Sequence, residues 1–228
     1  MTMRQCRNNF QKIADPMSRK KISEVCEMAV EFQNSRTREN LMRSFAGESQ
    51  ARNRYTLAAG QAKKNNLQLI EQVFQFTADQ EKEHAEVFYR FLKEANGETI
   101  QIDGGYPVDN YEDVCRLLQT AEHNEKEEHE VVYPAFAQTA EEEGFSRVAA
   151  AFRQIAEVEK SHAARFRRFG DLLGQGKLFA SEQSEHWVCL NCGFIYEGKE
   201  APKICPVCEH AQGYFARASQ VPFGNGVY

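Results

Sequence analysis

The motif Glu-x-x-His occurs twice in one repeated frame, at Glu81/His84 and at Glu159/His162, offset by 78 residues. Around it Phe74, Ala78, Lys82, Ala85, Phe88, Arg90 and Phe91 recur as Phe152, Ala156, Lys160, Ala163, Phe166, Arg168 and Phe169. Half of the positions from Phe74 to Phe91 are thus identical in the second copy, which marks an internal duplication rather than chance. Residues three apart share one helical face, so each pair can grip one ion. A duplicated helical hairpin aims two such pairs at each other across a bundle core. A single Glu-x-x-His is more often decorative than ligating; two in one aromatic-rich repeat point to a two-metal site.

The rest of the repeat supplies further acids. Glu48 finds a counterpart in Glu125 at an offset of 77, whereas Tyr55, Ala59 and Ala62 find Tyr133, Ala137 and Ala140 at 78. One residue of register has slipped near the carboxylates, and Pro134 in the same helix predicts a kink or local bulge there. Glu128 lies three beyond Glu125 on its face. One Glu from each of two helices and Glu-x-x-His from the other two is a dimetal carboxylate ligand plan. Without metal, so many inward carboxylates would carry a severe desolvation penalty. Tyr55 and Tyr133 share the stripe of Glu48 and its counterpart, and read as core tyrosines, as hydrogen-bond donors to a bridging carboxylate, or as proton donors to bound peroxide. Glu122, Glu127, Glu130, Glu141, Glu142 and Glu143 read as a solvated face, and His123 and His129 as surface residues.

Turn signals divide the chain. Thr37 is a good N-cap for a first helix to about Lys64; Asn65-Asn66 links it to a second, from about Leu67 to Ala95. The Gly- and Pro-bearing stretch from Asn96 to Asn110 is long enough to cross the bundle. A third helix is expected from about Tyr111 to Glu143, broken by Gly144, and a fourth from about Ser146 to Leu173. Short, long, short connections give a ferritin-like order of four helices. Residues 37–176 form this mainly α unit, 177–184 a linker, and 185–228 a small β-rich module. Residues 1–36 read as a short amphipathic helix through Ile22, Val25, Cys26, Ala29 and Val30, as a loose extension, or as a start upstream of Met17.

The C-terminal module holds Cys189-x-x-Cys192 and Cys205-x-x-Cys208. Four thiolates bind zinc or one iron tetrahedrally, and spacing does not choose between them. Trp187, Phe194, Tyr196, Tyr214 and Phe215 would form a core that so few residues sustain only with a metal staple. Attachment to a redox-capable bundle favours iron. The other three of the seven cysteines, Cys6, Cys26 and Cys115, are scattered, which suits a reducing cytoplasm. Ser18-Arg19-Lys20-Lys21 is a poor export signal because Glu24 and Glu27 follow it. No apolar run approaches a membrane span, and a net charge of −5 argues against nucleic acid or anionic membrane as partner.

Over residues 37–228 the chain closely resembles the rubrerythrin family. The likeness is carried by the run from Phe45 through Glu48 and Arg52 to Tyr55, by Glu81-Lys82-Glu83-His84, and by Tyr133-Pro134. Trp187-Val188-Cys189, Cys192-Gly193 and Gly198-Lys199-Glu200-Ala201-Pro202 extend it. The resemblance implies a ferritin-like four-helix bundle with two non-haem irons, followed by a rubredoxin-like domain with one iron on its four cysteines, zinc being the alternative there. It implies a cytoplasmic peroxidase that reduces hydrogen peroxide to water and protects against oxidative stress. Its electrons come ultimately from NAD(P)H, through donors such as rubredoxin or a reductase, and it acts as a head-to-tail homodimer.

The resemblance also implies that Glu48, Glu81, Glu125, Glu128, Glu159 and His162 ligate the oxidised centre, and that His84 replaces Glu128 on reduction. Exchanging a carboxylate for neutral imidazole offsets part of the positive charge that reduction removes. The slipped register is no departure, since the family also carries Glu-x-x-Glu ahead of Tyr-Pro; residues 1–36 are one, being longer than the usual start. A ferroxidase or iron-handling protein, an oxygen-activating oxidase, and a zinc-bearing interaction module remain as rivals.

Overall fold

The computed structural model describes residues 30–221. Most of the N-terminal extension, including the helix expected around Ile22–Val30, lies outside them. Ser35, not Thr37, caps the first helix: its Oγ accepts from the Arg38 N–H at 3.1 Å and opens α1 (Arg36–Lys64). Thr37 sits inside the first turn, where its N–H and hydroxyl donate to Glu143 at 2.8 and 2.6 Å. That carboxylate satisfies helix-end donors from across the bundle. Asn66 reverses the chain at φ +56°, a conformation its short amide side chain tolerates. Then α2 (Gln68–Phe91) runs on into a 3₁₀ turn, Leu92–Ala95.

Residues 96–113 cross the bundle as an irregular strap. It is tied down by ion pairs from Arg43 to Asp103 (2.7 Å) and from Arg54 to Asp109 (2.6 Å). Asn124 also donates to Asp109 at 2.8 Å. Asp113 caps α3 (Val114–Glu127) by accepting from the Cys115 N–H at 2.8 Å.

The long third helix expected from the sequence is three pieces. After α3 comes a π-helical turn, Glu128–Val132, and then α4 (Tyr133–Glu142). Eight residues separate Glu125 from Tyr133, against seven between Glu48 and Tyr55. A π turn absorbs one extra residue without rotating the flanking side chains off the core. Pro134 contributes, because it has no N–H for an α-helical bond one turn back. Gly144, at φ +86°, ends α4, and α5 (Ser146–Gly174) returns along it. The helices pair as two hairpins, α1 with α2 and α3/α4 with α5. Among the described residues, no helix is long and apolar enough to cross a membrane.

The core falls into two clusters stacked along the bundle. At the heart of one, Tyr55, Phe74 and Phe166 pack with centroids 5.0–6.0 Å apart. In the other, Tyr133, Phe152 and Phe88 do the same at 5.0–5.9 Å. These triads are the repeat-related copies of each other, so the duplication has produced two like aromatic layers with a polar layer between.

The C-terminal module is a three-stranded antiparallel sheet in the order β2-β1-β3, with β1 Ala180–Cys189, β2 Ile195–Glu200 and β3 Phe215–Arg217. Residues 177–184, expected as a linker, are largely strand: β1 begins at Ala180, pairs with Glu200, and bulges before Glu185. Leu178 is buried in the bundle's first cluster together with Ala216. Arg217 locks this junction, its Nη2 donating to the carbonyls of Lys177 (2.8 Å) and Ala180 (2.7 Å) while the guanidinium lies over the Trp187 ring. Gly213 faces the α1–α2 turn so closely that a Cβ would overlap the Asn66 carbonyl.

Candidate metal centre

The polar layer between the aromatic triads contains two four-membered donor groups. One is Glu48, Glu81, His84 and Glu159; the other is Glu81, Glu125, Glu159 and His162. Within each group the nearest donor atoms lie within 4.8 Å of one another, and every member is buried. Glu81 and Glu159 belong to both. His84 Nδ1 is 3.1 Å from one Glu81 oxygen and 2.9 Å from one Glu159 oxygen. His162 Nδ1 is 3.0 and 2.7 Å from the other oxygens of the same two residues. Each of these carboxylates therefore spans two sites. Glu48 belongs to the His84 side, 3.9 Å away, and Glu125 to the His162 side, 3.4 Å away. The two imidazoles stack at 5.5 Å between centroids.

The tyrosines complete the symmetry crosswise: Tyr55 donates its hydroxyl to Glu125 and Tyr133 donates to Glu48. Each is thus a donor to the terminal carboxylate of the opposite half, rather than only a core filler. Burial, with the neighbouring carboxylates, raises both phenols well above their ordinary value, so both keep their protons.

This donor set fits a pair of cations. Both oxygens of Glu159, and one each of Glu48, Glu81 and Glu125, are buried without a hydrogen-bond partner. His162 Nδ1 is surrounded by three carboxylates, yet none of these contacts has hydrogen-bond geometry. Buried acceptors that converge on a point without donors are costly unless an ion occupies it. Without ions, burial raises Glu48 and Glu125 well above the carboxylate range. Burial also acts to raise Glu159, but the His162 and His84 imidazoles, 2.7 and 2.9 Å from its oxygens, outweigh it and hold this carboxyl at about 2.

Glu128 falls in neither donor group. It lies in the π turn and lines a cavity of about 250 Å³ with Arg43, Gln50, Arg54, Tyr106 and Tyr133. Burial, reinforced by Glu125, Glu159 and Glu81, raises its carboxyl well above the ordinary value. His129, read from sequence as a surface residue, is half-buried, and its Nδ1 pairs with the Ala156 carbonyl at 2.8 Å.

The four thiols form the second centre. Cys189 and Cys208 sulfurs are 3.7 Å apart, and Cys192 and Cys205 3.6 Å. Sulfurs about 2.3 Å from one ion, at the corners of a tetrahedron, stand about 3.8 Å apart, so the four are already in place. Gly193, at φ +76°, and Glu209, at φ +59°, turn the two knuckles. The His210 backbone N–H pulls Cys208 down to about 6, toward the thiolate a metal needs. Cys189 and Cys205 also belong to the module's core with Trp187, Ala201 and Phe215.

The Rubrerythrin family model matches residues 39–170, and the model of the rubrerythrin rubredoxin-like domain matches residues 187–216. The chain is a member of the rubrerythrin family. It is 47% identical over 185 residues to the rubrerythrin of Clostridium perfringens, covering 81% of this chain and 95% of that one. To the rubrerythrin of Nitratidesulfovibrio vulgaris it is 40% identical over 184 residues, covering 81% and 95%. Among solved structures, fully reduced, all-ferrous nigerythrin aligns with a TM-score of 0.55 and 27% identity, over 81% of this chain and 90% of that one. As in other rubrerythrins, the buried carboxylate–histidine cluster is a di-iron site and the four thiols are a rubredoxin-like iron site. The protein is an iron-based oxidoreductase.

Sequence reasoning missed a group behind His162. Its Nε2 meets the Gln80 side-chain oxygen at 3.1 Å, and Arg165 donates to that oxygen and to Thr77 Oγ1, both at 2.8 Å. Its signal in the sequence lies in mismatches of the repeat rather than in its matches.

Proposed function

We propose that the protein is a non-haem di-iron peroxidase that reduces hydrogen peroxide to water with electrons fed through its four-cysteine iron centre. The observation that carries this reading is the presence of both centres in one chain: a buried two-ion site, and a thiolate site near the surface with Cys192 exposed. A ferroxidase or storage protein has no use for an electron-feeding tail. Bound iron supplies the two electrons that split the O–O bond.

The chain's own residues supply the rest. Glu81 and Glu159, which belong to both donor groups, would hold both ions, and Glu48 and Glu125 would each hold one. Glu128, whose carboxyl lies well above its ordinary value through burial and the neighbouring carboxylates, and Tyr133 line the cavity beside the centre, where a small substrate would arrive. They can hand protons to departing oxygen and be recharged from solvent. The placement of His84 inside a donor group, with Glu128 outside both, supports the expected exchange of these two ligands on reduction. Head-to-tail pairing of two chains, with each tail serving its partner's centre, belongs to the same proposal. So do a cytoplasmic setting and supply of the tail from NAD(P)H through rubredoxin or a reductase.

The test is anaerobic rapid mixing of fully reduced protein with hydrogen peroxide, watching both iron centres. Peroxide should reoxidise the di-iron centre far faster than oxygen does, with the thiolate iron following. His84→Ala should keep most iron yet lose most peroxide turnover. Faster reoxidation by oxygen, or unchanged turnover in the His84 variant, counts against the reading.

A further inference from the structure

The two halves of the bundle carry the same ligands but different supports. The Gln80 oxygen that meets His162 Nε2 at 3.1 Å also accepts from Arg165 Nη1 at 2.8 Å. The same Nη1 donates to Thr77 Oγ1 at 2.8 Å, while the Thr77 hydroxyl donates to the Val73 carbonyl at 3.0 Å. A guanidinium has donors only, so it fixes Gln80 with its oxygen, not its NH2, toward the imidazole. That requires the proton on Nε2, so Nδ1, which faces Glu81, Glu125 and Glu159, is the nitrogen left to hold an ion. Arg165 is further held over the Phe76 ring at 5.0 Å.

None of this is duplicated. Seventy-eight residues on, Thr77 becomes Ile155 and Gln80 becomes Val158; the counterpart of Arg165 is Val87. Three polar residues face three aliphatic ones, in a frame otherwise half identical. Among the described residues, no hydrogen bond from a side-chain amide to His84 is seen.

We infer that Thr77, Gln80 and Arg165 form a positioning relay that makes His162 the fixed imidazole of the centre and raises the reduction potential of the iron it holds. This rests on the proposed role of His162 as an iron ligand. Gln80 locks the ring's tautomer and orientation, as outer-shell partners of metal-bound imidazoles do. Arg165 draws on the same Gln80 oxygen and weakens its pull on the Nε2 proton, so the ring donates less charge to iron. Its own positive charge, close to the buried carboxylates, acts in the same sense, because a nearby cation disfavours ferric over ferrous iron. The three aliphatic counterparts leave the His84 ring free to move, which a ligand that exchanges requires.

Iron-loaded full-length Gln80→Val and Arg165→Val proteins test this, because each copies the residue the other half already accommodates. In chelator competition, Gln80→Val should give up one iron of the pair at about tenfold lower chelator concentration. In a potentiometric titration of both centres together, Arg165→Val should shift the di-iron couple about tenfold toward ferric, about 59 mV per electron. The four-cysteine iron should not move, and Arg165→Lys should recover most of the shift. Wild-type retention and potentials in both valine variants would overturn the relay, as would an equal shift at the thiolate iron. Wild-type protein lacking the iron pair would instead overturn the ligand assignment, a failure read before any variant is made.

Discussion

The di-iron layer and the four-cysteine knuckles differ in what holds the protein around them. The di-iron donors sit between two aromatic triads, none of whose residues belongs to a donor group. In the tail, Cys189 and Cys205 are themselves members of the small core around Trp187. One site is a polar inclusion in a scaffold that stands by itself; the other is a scaffold whose centre is the metal. The bundle can therefore afford strained electrostatics in its middle, and the tail cannot afford the loss of a single thiolate.

The largest expected effect separates these two. Cys205→Ser should remove the tail's ion and unfold the module, because binding energy on the order of 10 kcal/mol holds such small thiolate folds together. Trp187, the chain's single tryptophan, is fully buried and reports the event as a red-shifted emission. Far-ultraviolet circular dichroism should show the helices unchanged, and the di-iron content should persist. Loss of bundle helicity in step with the tryptophan signal would show that the modules are not independent in this way.

The second expectation concerns the bundle without metal. Burial acts to lower the His84 pKa, but the Glu159 and Glu81 carboxylates beside its Nδ1 outweigh it and push it from 6.5 up to about 9. A raised pKa means the folded chain retains a proton that the unfolded chain releases. The contribution is complete below pH 6.5 and disappears as pH climbs through about 9. Glu48 and Glu125, raised by burial, act with the same sign. Glu159, held at about 2, acts with the opposite sign, its contribution being lost only as pH falls from 4.5 toward 2. Urea unfolding of the apo-protein should therefore show stability falling between pH 6.5 and 9, by about 1.4 kcal/mol per pH unit for each proton retained. The iron-loaded protein should be flatter, since cations replace those protons. An apo-protein that gains stability over this range would contradict the account.

The sequence made the bundle legible because its information is local and doubled. Helical spacing, glycine breaks and a repeated Glu-x-x-His need no knowledge of distant contacts. Even the π turn was written as the one-residue slip between Glu48/Glu125 and Tyr55/Tyr133. The division of labour among the acids was less visible. That Glu81 and Glu159 face both histidines while Glu48 and Glu125 face one each depends on helix rotation, which spacing does not specify. Ser181, Glu182, Gln183 and Ser184 have a linker's polarity, yet they are partly or fully exposed positions along one irregular strand. Arg217 gave no signal, since its partners are carbonyls some forty residues away and any chain has those.

The smallest expected effect compares the halves of the repeat directly. Tyr133→Phe removes the donor to Glu48, and Tyr55→Phe removes the donor to Glu125. The ring stays in its aromatic triad, so each change deletes one hydrogen bond and leaves a buried carboxylate oxygen short of a donor. Each should cost about 1–2 kcal/mol in the apo-protein, read as a shift of the urea midpoint at constant slope. In stability the two should match within a few tenths of a kcal/mol, because they occupy equivalent places in equivalent layers. In peroxide turnover they should not match. Tyr133 lines the cavity beside Glu128, whereas Tyr55 does not, so the Tyr133 variant should be the slower. Equal turnover in the two would mean that the cavity is not the route by which protons or substrate reach the centre, and that the halves are as alike in chemistry as they are in packing.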